Sequence, residues 1–223
     1  DDVTSATRDW HHIEHIDEIW RQFYRCELNW RKAEVLQSVH DSLLARQINP
    51  EEYLREEFDW IRSAMALQDQ VTDYPDIPRK GRSQTLSIDF RQDVLTGLTN
   101  WREQMDAVGA IDHLGIAEWL SKHKEKITPE YRCILVDESQ DFGTIELNLI
   151  RRLVDPGTDD IFLAGDAAQH VTWKHQSLKE AGINVPGARS QTMRKNYRNS
   201  REILKAAHFI LSENLSEEML ENE

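Results

Sequence analysis

Apolar residues recur at three- and four-residue steps through the first two-thirds of the chain, and this spacing predicts a series of amphipathic helices. A helix start is predicted at Asn49-Pro50, because asparagine is a good cap and proline suits the first helical position. A long helix is predicted over residues 86–108, ended by Gly109, and a further helix over residues 114–124. The first apolar stripe comprises Trp10, Ile13, Ile16, Trp20, Phe23 and Tyr24.

The pattern changes in the second half of the chain, where uninterrupted apolar runs replace the helical spacing. Residues 131–136 and 161–164 predict two buried strands, with a helix over residues 145–154 between them. Residues 191–196 favour a third strand, and Asn199 is placed to cap a last helix. Strands that alternate with helices and are apolar throughout predict an α/β fold with a parallel sheet covered on both faces.

Composition sets the broad class of the protein. The 223 residues are 39% hydrophobic, enough for a real core, and no apolar run approaches the roughly 18 residues of a membrane helix, so no membrane partner is expected. Cys26 and Cys133 lie far apart, and Cys133 falls in a predicted buried strand, which favours a reduced cytoplasmic protein over a single disulfide. The start at Asp1, without methionine or signal-peptide pattern, favours a fragment of a longer protein.

The net charge of −13 argues against a surface broadly adapted to nucleic acid, although it is compatible with a local basic groove. Arg79, Lys80 and Arg82 form the one conspicuously basic stretch and are candidates for contact with nucleic-acid phosphates. The alternative is a solvated charged loop. Trp173 is a candidate for stacking on a base, with packing between loop and sheet as the equal alternative.

Two acidic groups directly follow the predicted strands. Asp137-Glu138 comes after the first run and Asp166 after the second, so in a parallel sheet their side chains share one edge. A carboxylate such as Asp137 suits magnesium, and a neighbour such as Glu138 suits general-base activation of water. An apolar strand ending in Asp-Glu has the form of the Walker B site of an ATPase.

Three further side chains extend this chemistry. Gln140 and Gln169 carry amides that can donate to phosphate oxygens and accept from water. Arg198 can supply the forked, charged donor that phosphoryl transfer uses as an arginine finger. His11, His12 and His15 could form a metal site, but a partly exposed helix start is favoured because no fourth ligand follows at zinc-like spacing.

The order of these residues along the chain is more informative than any one of them alone. The segments VDESQD (136–141), LAGDAAQ (163–169) and NYR (196–198) resemble motifs II, III and IV of superfamily 1 helicases of the UvrD/Rep/PcrA type. The resemblance implies a partial RecA-like (P-loop NTPase) parallel sheet with a mostly helical inserted subdomain. It divides the chain into a helical region resembling subdomain 1B (1–128), the later half of the first motor domain (129–195), and a junction helix with an acidic tail (196–223).

The resemblance also implies roles for the candidate residues. Asp137 would bind Mg²⁺, and Glu138 would polarise the water that attacks ATP. Gln140 and Gln169 would sense the γ-phosphate. Arg198 would contact the γ-phosphate, and Tyr197 would stack on the adenine. Asp141 and Asp166 would hold the neighbouring loops by hydrogen bonds.

One departure from the family pattern is large. The phosphate-binding motif Gly-x-x-x-x-Gly-Lys-Ser/Thr is missing from the chain, so the chain alone is expected not to hydrolyse ATP. The expected parent is an ATP-dependent DNA helicase or translocase, with ATP and Mg²⁺ as cofactors. Its partners would be single-stranded or partly duplex DNA and the missing motor-domain segments. The alternatives are a degenerate helicase-like scaffold for protein interactions and an enzyme whose phosphate loop comes from another chain.

Overall fold

The computed structural model describes residues 16–29, 34–64, 67–79, 82, 84–166, 169, 174–193 and 197–214. In this part of the chain helices predominate and the sheet has two parallel strands, so the fold is mixed α/β and mostly helical. The strands are β1 (Ile134–Val136) and β2 (Ile161–Leu163). The helices are α1 (Ile16–Asn29), α2 (Glu34–Ala45), α3 (Pro50–Ala64), α4 (Leu67–Asp73), α5 (Ile88–Val108), α6 (His113–Lys122), α7 (Thr144–Arg152) and α8 (Arg201–Asn214).

Local capping signals explain why the predicted long helix forms where it does. Helix α5 begins after Ser87, whose Oγ accepts a hydrogen bond from the Phe90 N–H at 3.3 Å. It ends at Gly109, which adopts the left-handed conformation with φ of 67°. The helices predicted to start at Pro50 and to lie over residues 114–124 and 145–154 are likewise confirmed as α3, α6 and α7.

Helices α1, α2, α3 and α5 share one apolar core. Trp20 of α1 meets Trp101 of α5 at a ring-centre distance of 5.3 Å, and Phe58 of α3 packs edge-on against Trp20 at 5.5 Å. Such edge-to-face contacts add to the large apolar area that these rings bury. The apolar stripe of α1 therefore packs as predicted from Ile16 onward; Trp10 and Ile13 lie outside the described residues. Each of the described helices is too short or too polar to span a bilayer.

The parallel pairing of the strands is confirmed, but the burial of their outer face is not. Ile134 pairs with Ile161 and Leu135 with Phe162, and α7 connects the two strands. Leu135 and Phe162 lie side by side on one face, where they are 74% and 60% exposed. The prediction of a sheet covered on both faces is wrong within the described residues, because α7 and its neighbours pack only against the opposite face, through Ile161 and Leu163. Cys133, predicted to be buried, is exposed.

Two further predictions near the end of the chain need correction. Residues 191–193 of the predicted third strand are irregular, and residues 194–196 lie outside the described part. The last helix begins at Arg201, so Ser200 rather than Asn199 takes the capping position. The Ser200 Oγ accepts a hydrogen bond from the Ile203 N–H at 3.4 Å.

Helix α7 joins the strand region to the helical region through a very close contact at Gly143. A Cβ atom at Gly143 would lie 2.5 Å from the Ser63 Cβ and 3.1 Å from the Ser63 carbonyl oxygen of α3. We expect Gly143→Ala to lower the free energy of unfolding by about 1–3 kcal/mol, because the two helices must move apart. Urea denaturation measures this loss. The control is Gly187→Ala, where a Cβ meets no atom within 4 Å; an equal loss in both variants would contradict the explanation.

Candidate functional site

The two acidic strand ends meet at the carboxyl edge of the sheet, as the sequence predicts. The Ala164 N–H donates to the Val136 carbonyl at 2.8 Å, and the Ser139 N–H donates back to the Ala164 carbonyl at 2.8 Å. The ladder of hydrogen bonds therefore continues beyond both strands. It fixes the segment that carries Asp137 and Glu138 directly beside the segment that leads to Asp166.

Gln140 connects the two strand ends through both atoms of its side-chain amide. Its Nε2 donates to the Glu138 Oε2 at 2.7 Å, and its Oε1 accepts from the Asp166 N–H at 3.0 Å. The residue is only 7% exposed. Gln140 thus orients the Glu138 carboxylate while its own amide is held inside the protein. The loop-holding role that the resemblance assigns to Asp166 stays a prediction.

Glu138 has an unusual backbone conformation. Its φ of 50° and ψ of 43° place it in the left-handed region, which is uncommon for a residue other than glycine. Its N–H donates to the Asp137 Oδ1 at 3.0 Å, so the two acidic residues also contact each other. Strained backbone of this kind costs about 1–3 kcal/mol and clusters at functional sites, where surrounding contacts hold it in place.

The exposed carboxylates of Asp137 and Glu138 fit a magnesium ion in the chemistry of their donor atoms. Magnesium prefers hard oxygen ligands, keeps several waters, and is commonly bound through one or two carboxylates together with substrate phosphates. The described residues contain no group of three or more His, Cys, Asp or Glu side chains arranged to hold a metal. Asp137 and Glu138 thus fit a magnesium ion that is held jointly with a phosphate ligand.

Gly165 and Ser139 also belong to the site, although the sequence motifs indicate a role for neither. A Cβ atom at Gly165 would lie 2.5 Å from the Ser139 Oγ and 2.6 Å from the Gln140 Oε1. Any larger residue would push Gln140 away from the Asp166 N–H. A glycine directly after an apolar strand is a sequence signal for such a close approach of two segments.

Gln169 folds back onto Asp166. Its N–H donates to the Asp166 carbonyl at 2.9 Å, and its Nε2 donates to the Asp166 Oδ2 at 2.8 Å. Both predicted phosphate-sensing amides, Gln140 and Gln169, thus contact the same residue. Contact of either with phosphate stays a prediction.

Tyr197 and Arg198 lie on the exposed segment that leads into α8, and Tyr197 is 77% exposed. Their predicted contacts with adenine and the γ-phosphate stay predictions. Trp173 and Lys80 lie outside the described residues, as do His11, His12 and His15.

Arg79 and Arg82 are enclosed in a cluster of charged groups around Glu57, so the interpretation of this stretch as a solvated loop is wrong for these two residues. The Arg79 Nε donates to the Glu57 Oε1 at 2.6 Å, and the Arg82 Nε donates to the Glu57 Oε2 at 2.8 Å. Arg82 also donates to the Glu56 Oε2 at 2.9 Å. The structure thus gives both arginines internal partners, and their contact with nucleic acid stays a prediction.

Comparisons with known proteins identify the family of this chain. A family model described as the UvrD/REP helicase N-terminal domain matches residues 9–175. The curated protein "ATP-dependent DNA helicase Rep" of Buchnera aphidicola subsp. Baizongia pistaciae (strain Bp) is 33% identical over 99 residues, which is 41% of this chain and 14% of that protein. The chain thus spans a small part of the relative it matches, and no solved structure matches it. Because the family match covers most of the chain, the chain belongs to the UvrD/REP helicase N-terminal domain family.

Proposed function

We propose that this chain is part of an ATP-dependent DNA helicase or translocase that couples hydrolysis of Mg-ATP to movement on single-stranded DNA. The observation that carries the proposal is the link made by Gln140 between Glu138 and Asp166. A buried amide that orients an exposed carboxylate at the end of a parallel strand suits a site in which that carboxylate activates water. The family membership supports the same activity.

The chemistry assigns a separate task to each acidic residue at the strand end. Asp137 would hold the magnesium ion, which when bound neutralises the negative charge of the phosphates. Glu138 would accept the proton of the attacking water, with its carboxylate held by the 2.7 Å hydrogen bond from Gln140. Gln169 and Arg198 would contact the γ-phosphate, and Tyr197 the adenine.

The remaining parts of the site would come from other segments of the parent protein. Two strands form the sheet of the described residues, and Leu135 and Phe162 expose an apolar face on it. A two-stranded sheet is marginally stable without further packing, so this face suits the rest of a RecA-like motor domain. The proposed division into residues 1–128, 129–195 and 196–223 places the exposed face within the motor-domain part.

DNA would be bound chiefly by the parent protein, because the charge of −13 gives this chain little general attraction for phosphate. Within the chain, Trp173 and Lys80, which lie outside the described residues, are also proposed DNA contacts. Arg79 and Arg82 would have to contact DNA from within their cluster around Glu57.

The proposal is tested by comparing ATP hydrolysis by the purified 223-residue chain and by the full-length protein that contains it. We expect the full-length protein to turn over ATP at about 1 s⁻¹ or faster with Mg²⁺, and to be stimulated by single-stranded DNA. We expect the chain alone to release no phosphate above the buffer blank, because it has no phosphate-binding loop. Turnover by the chain, or none by the full-length protein, would contradict the proposal.

A further inference from the structure

Gln176 holds the turn that carries the candidate catalytic groups. Its side-chain Nε2 donates to the Ser139 carbonyl at 2.5 Å and to the Phe142 carbonyl at 3.1 Å. A glutamine amide has two N–H donors, so one nitrogen can serve both oxygens. The two carbonyls belong to the residues directly before Gln140 and directly after Asp141. The Gln176 side chain therefore bridges the two ends of this short turn.

The backbone around Gln176 is itself fixed to the body of the protein. The preceding His175 N–H donates to the Ser63 Oγ at 3.0 Å, and the His175 carbonyl accepts from the Thr144 N–H at 2.9 Å. The following Ser177 N–H donates to the Thr144 Oγ1 at 2.9 Å. Gln176 is thus presented to the turn from a segment anchored on both α3 and α7.

The turn is also confined by Gly165. Ser139 and Gln140 approach Gly165 so closely that a Cβ atom there would lie 2.5 Å from the Ser139 Oγ. Because the turn contacts Gly165 closely and is hydrogen-bonded by Gln176, it has little freedom to move. Gln140 can then keep the Glu138 carboxylate in one orientation.

We propose that Gln176 is a positioning residue for Glu138, acting through the turn at residues 139–142. This inference rests on the proposed function, because positioning matters only if Glu138 activates water. Loss of the two hydrogen bonds would let the turn open and would misalign the Glu138 carboxylate, and small misplacements of this kind lower the rate of the chemical step. Binding of ATP would change little, because Gln176 itself contacts protein carbonyls.

Amide hydrogen exchange on the 223-residue chain tests the structural part. Gln176→Met keeps the length of the side chain and removes both donors. We expect the amides of Asp141 and Phe142, which donate to Glu138 and Ser139 within the turn, to exchange at least about tenfold faster. Gln92→Met, the same change on an exposed position of α5, is the control and should leave these amides unchanged. Equal exchange in Gln176→Met and the unaltered chain would overturn the proposal.

ATP hydrolysis by the full-length protein tests the functional part. Gln176→Met is expected to lower kcat about tenfold while KM for ATP stays the same. Gln176→Glu adds a readout that a purely structural role would not move. A carboxylate has no donor, whereas the protonated acid has one, so the kcat of this variant relative to the unaltered protein should rise as the pH falls.

The outcomes separate the two ideas. If Glu138→Gln abolishes hydrolysis but Gln176→Met does not lower kcat, the positioning role is overturned and the proposed function stands. If Glu138→Gln leaves hydrolysis intact, the proposed function falls and the positioning role falls with it.

Discussion

Replacing Glu57 with glutamine is expected to lower the free energy of unfolding by about 3 kcal/mol, because it removes the charge that balances two enclosed guanidinium groups. Glu57 is 0% exposed, and its two carboxylate oxygens accept hydrogen bonds from Arg79 and Arg82. The Tyr74 hydroxyl donates to the Glu57 Oε1 at 2.7 Å as well. Because Glu56 still pairs with Arg82 after the change, we expect the lower end of the cost of breaking a buried ion pair.

Urea denaturation at pH 7 measures this loss. The matched control is Glu103→Gln, the same substitution at an exposed position of α5, where we expect a change within about 0.5 kcal/mol. A double variant, Glu57→Gln with Arg79→Met, should lose less stability than the sum of the two single variants, because it removes both charges of one pair. Equal midpoints for Glu57→Gln and Glu103→Gln would show that the cluster does not stabilise the fold.

The pH dependence of the same loss has a definite sign. Burial alone would raise the pKa of Glu57, but hydrogen bonds and charge from Arg79, with the charge of Arg82, bring it below its usual value of 4.5. A carboxyl group whose pKa is lower in the folded state stabilises the protein above its unfolded pKa. That stabilisation is lost as the pH falls below about 4.5. The stability difference between the unaltered chain and Glu57→Gln should therefore shrink between pH 6 and pH 3.

The features that the sequence predicted correctly depend on capping residues next to a helix or on the shared direction of parallel strands. Helix α5 could be delimited because the cap at Ser87 and the left-handed Gly109 act within one turn of the helix. The two strand ends could be brought together because parallel strands carry their carboxyl ends at one edge. Periodicity and strand order were sufficient for these predictions.

The features that the sequence did not predict depend on contacts between residues far apart in the chain, or on which face of the sheet the helices cover. Arg79 and Arg82 lie 22 and 25 residues after Glu57, and spacing along the chain gives no signal for such a pairing. Leu135 is as apolar as a buried strand residue, so its exposure could not be inferred without knowing which face the helices cover. The Gln176 amide likewise contacts a turn more than 30 residues earlier in the chain.

In the full-length protein, Glu138→Gln is expected to lower kcat for ATP hydrolysis by about 10²–10⁴-fold, the usual contribution of a general base. Glutamine keeps the shape of the side chain and can still accept the hydrogen bond that Gln140 donates at 2.7 Å, but it cannot take a proton from water. The KM for ATP should stay nearly constant, because the lost interaction acts in the transition state rather than on bound nucleotide. Steady-state phosphate release with Mg²⁺ and single-stranded DNA gives both constants.

Two controls separate a chemical role for Glu138 from a structural one. Glu130→Gln makes the same substitution at an exposed position before β1, at the opposite end of the strand, and should leave kcat unchanged. In the 223-residue chain, Glu138→Gln should shift the free energy of unfolding by no more than about 0.5 kcal/mol, because the carboxylate is exposed and its hydrogen bond is retained. Loss of kcat with unchanged stability would assign proton transfer to Glu138. Unchanged kcat would remove Glu138 from the reaction and leave its strained backbone without a catalytic explanation.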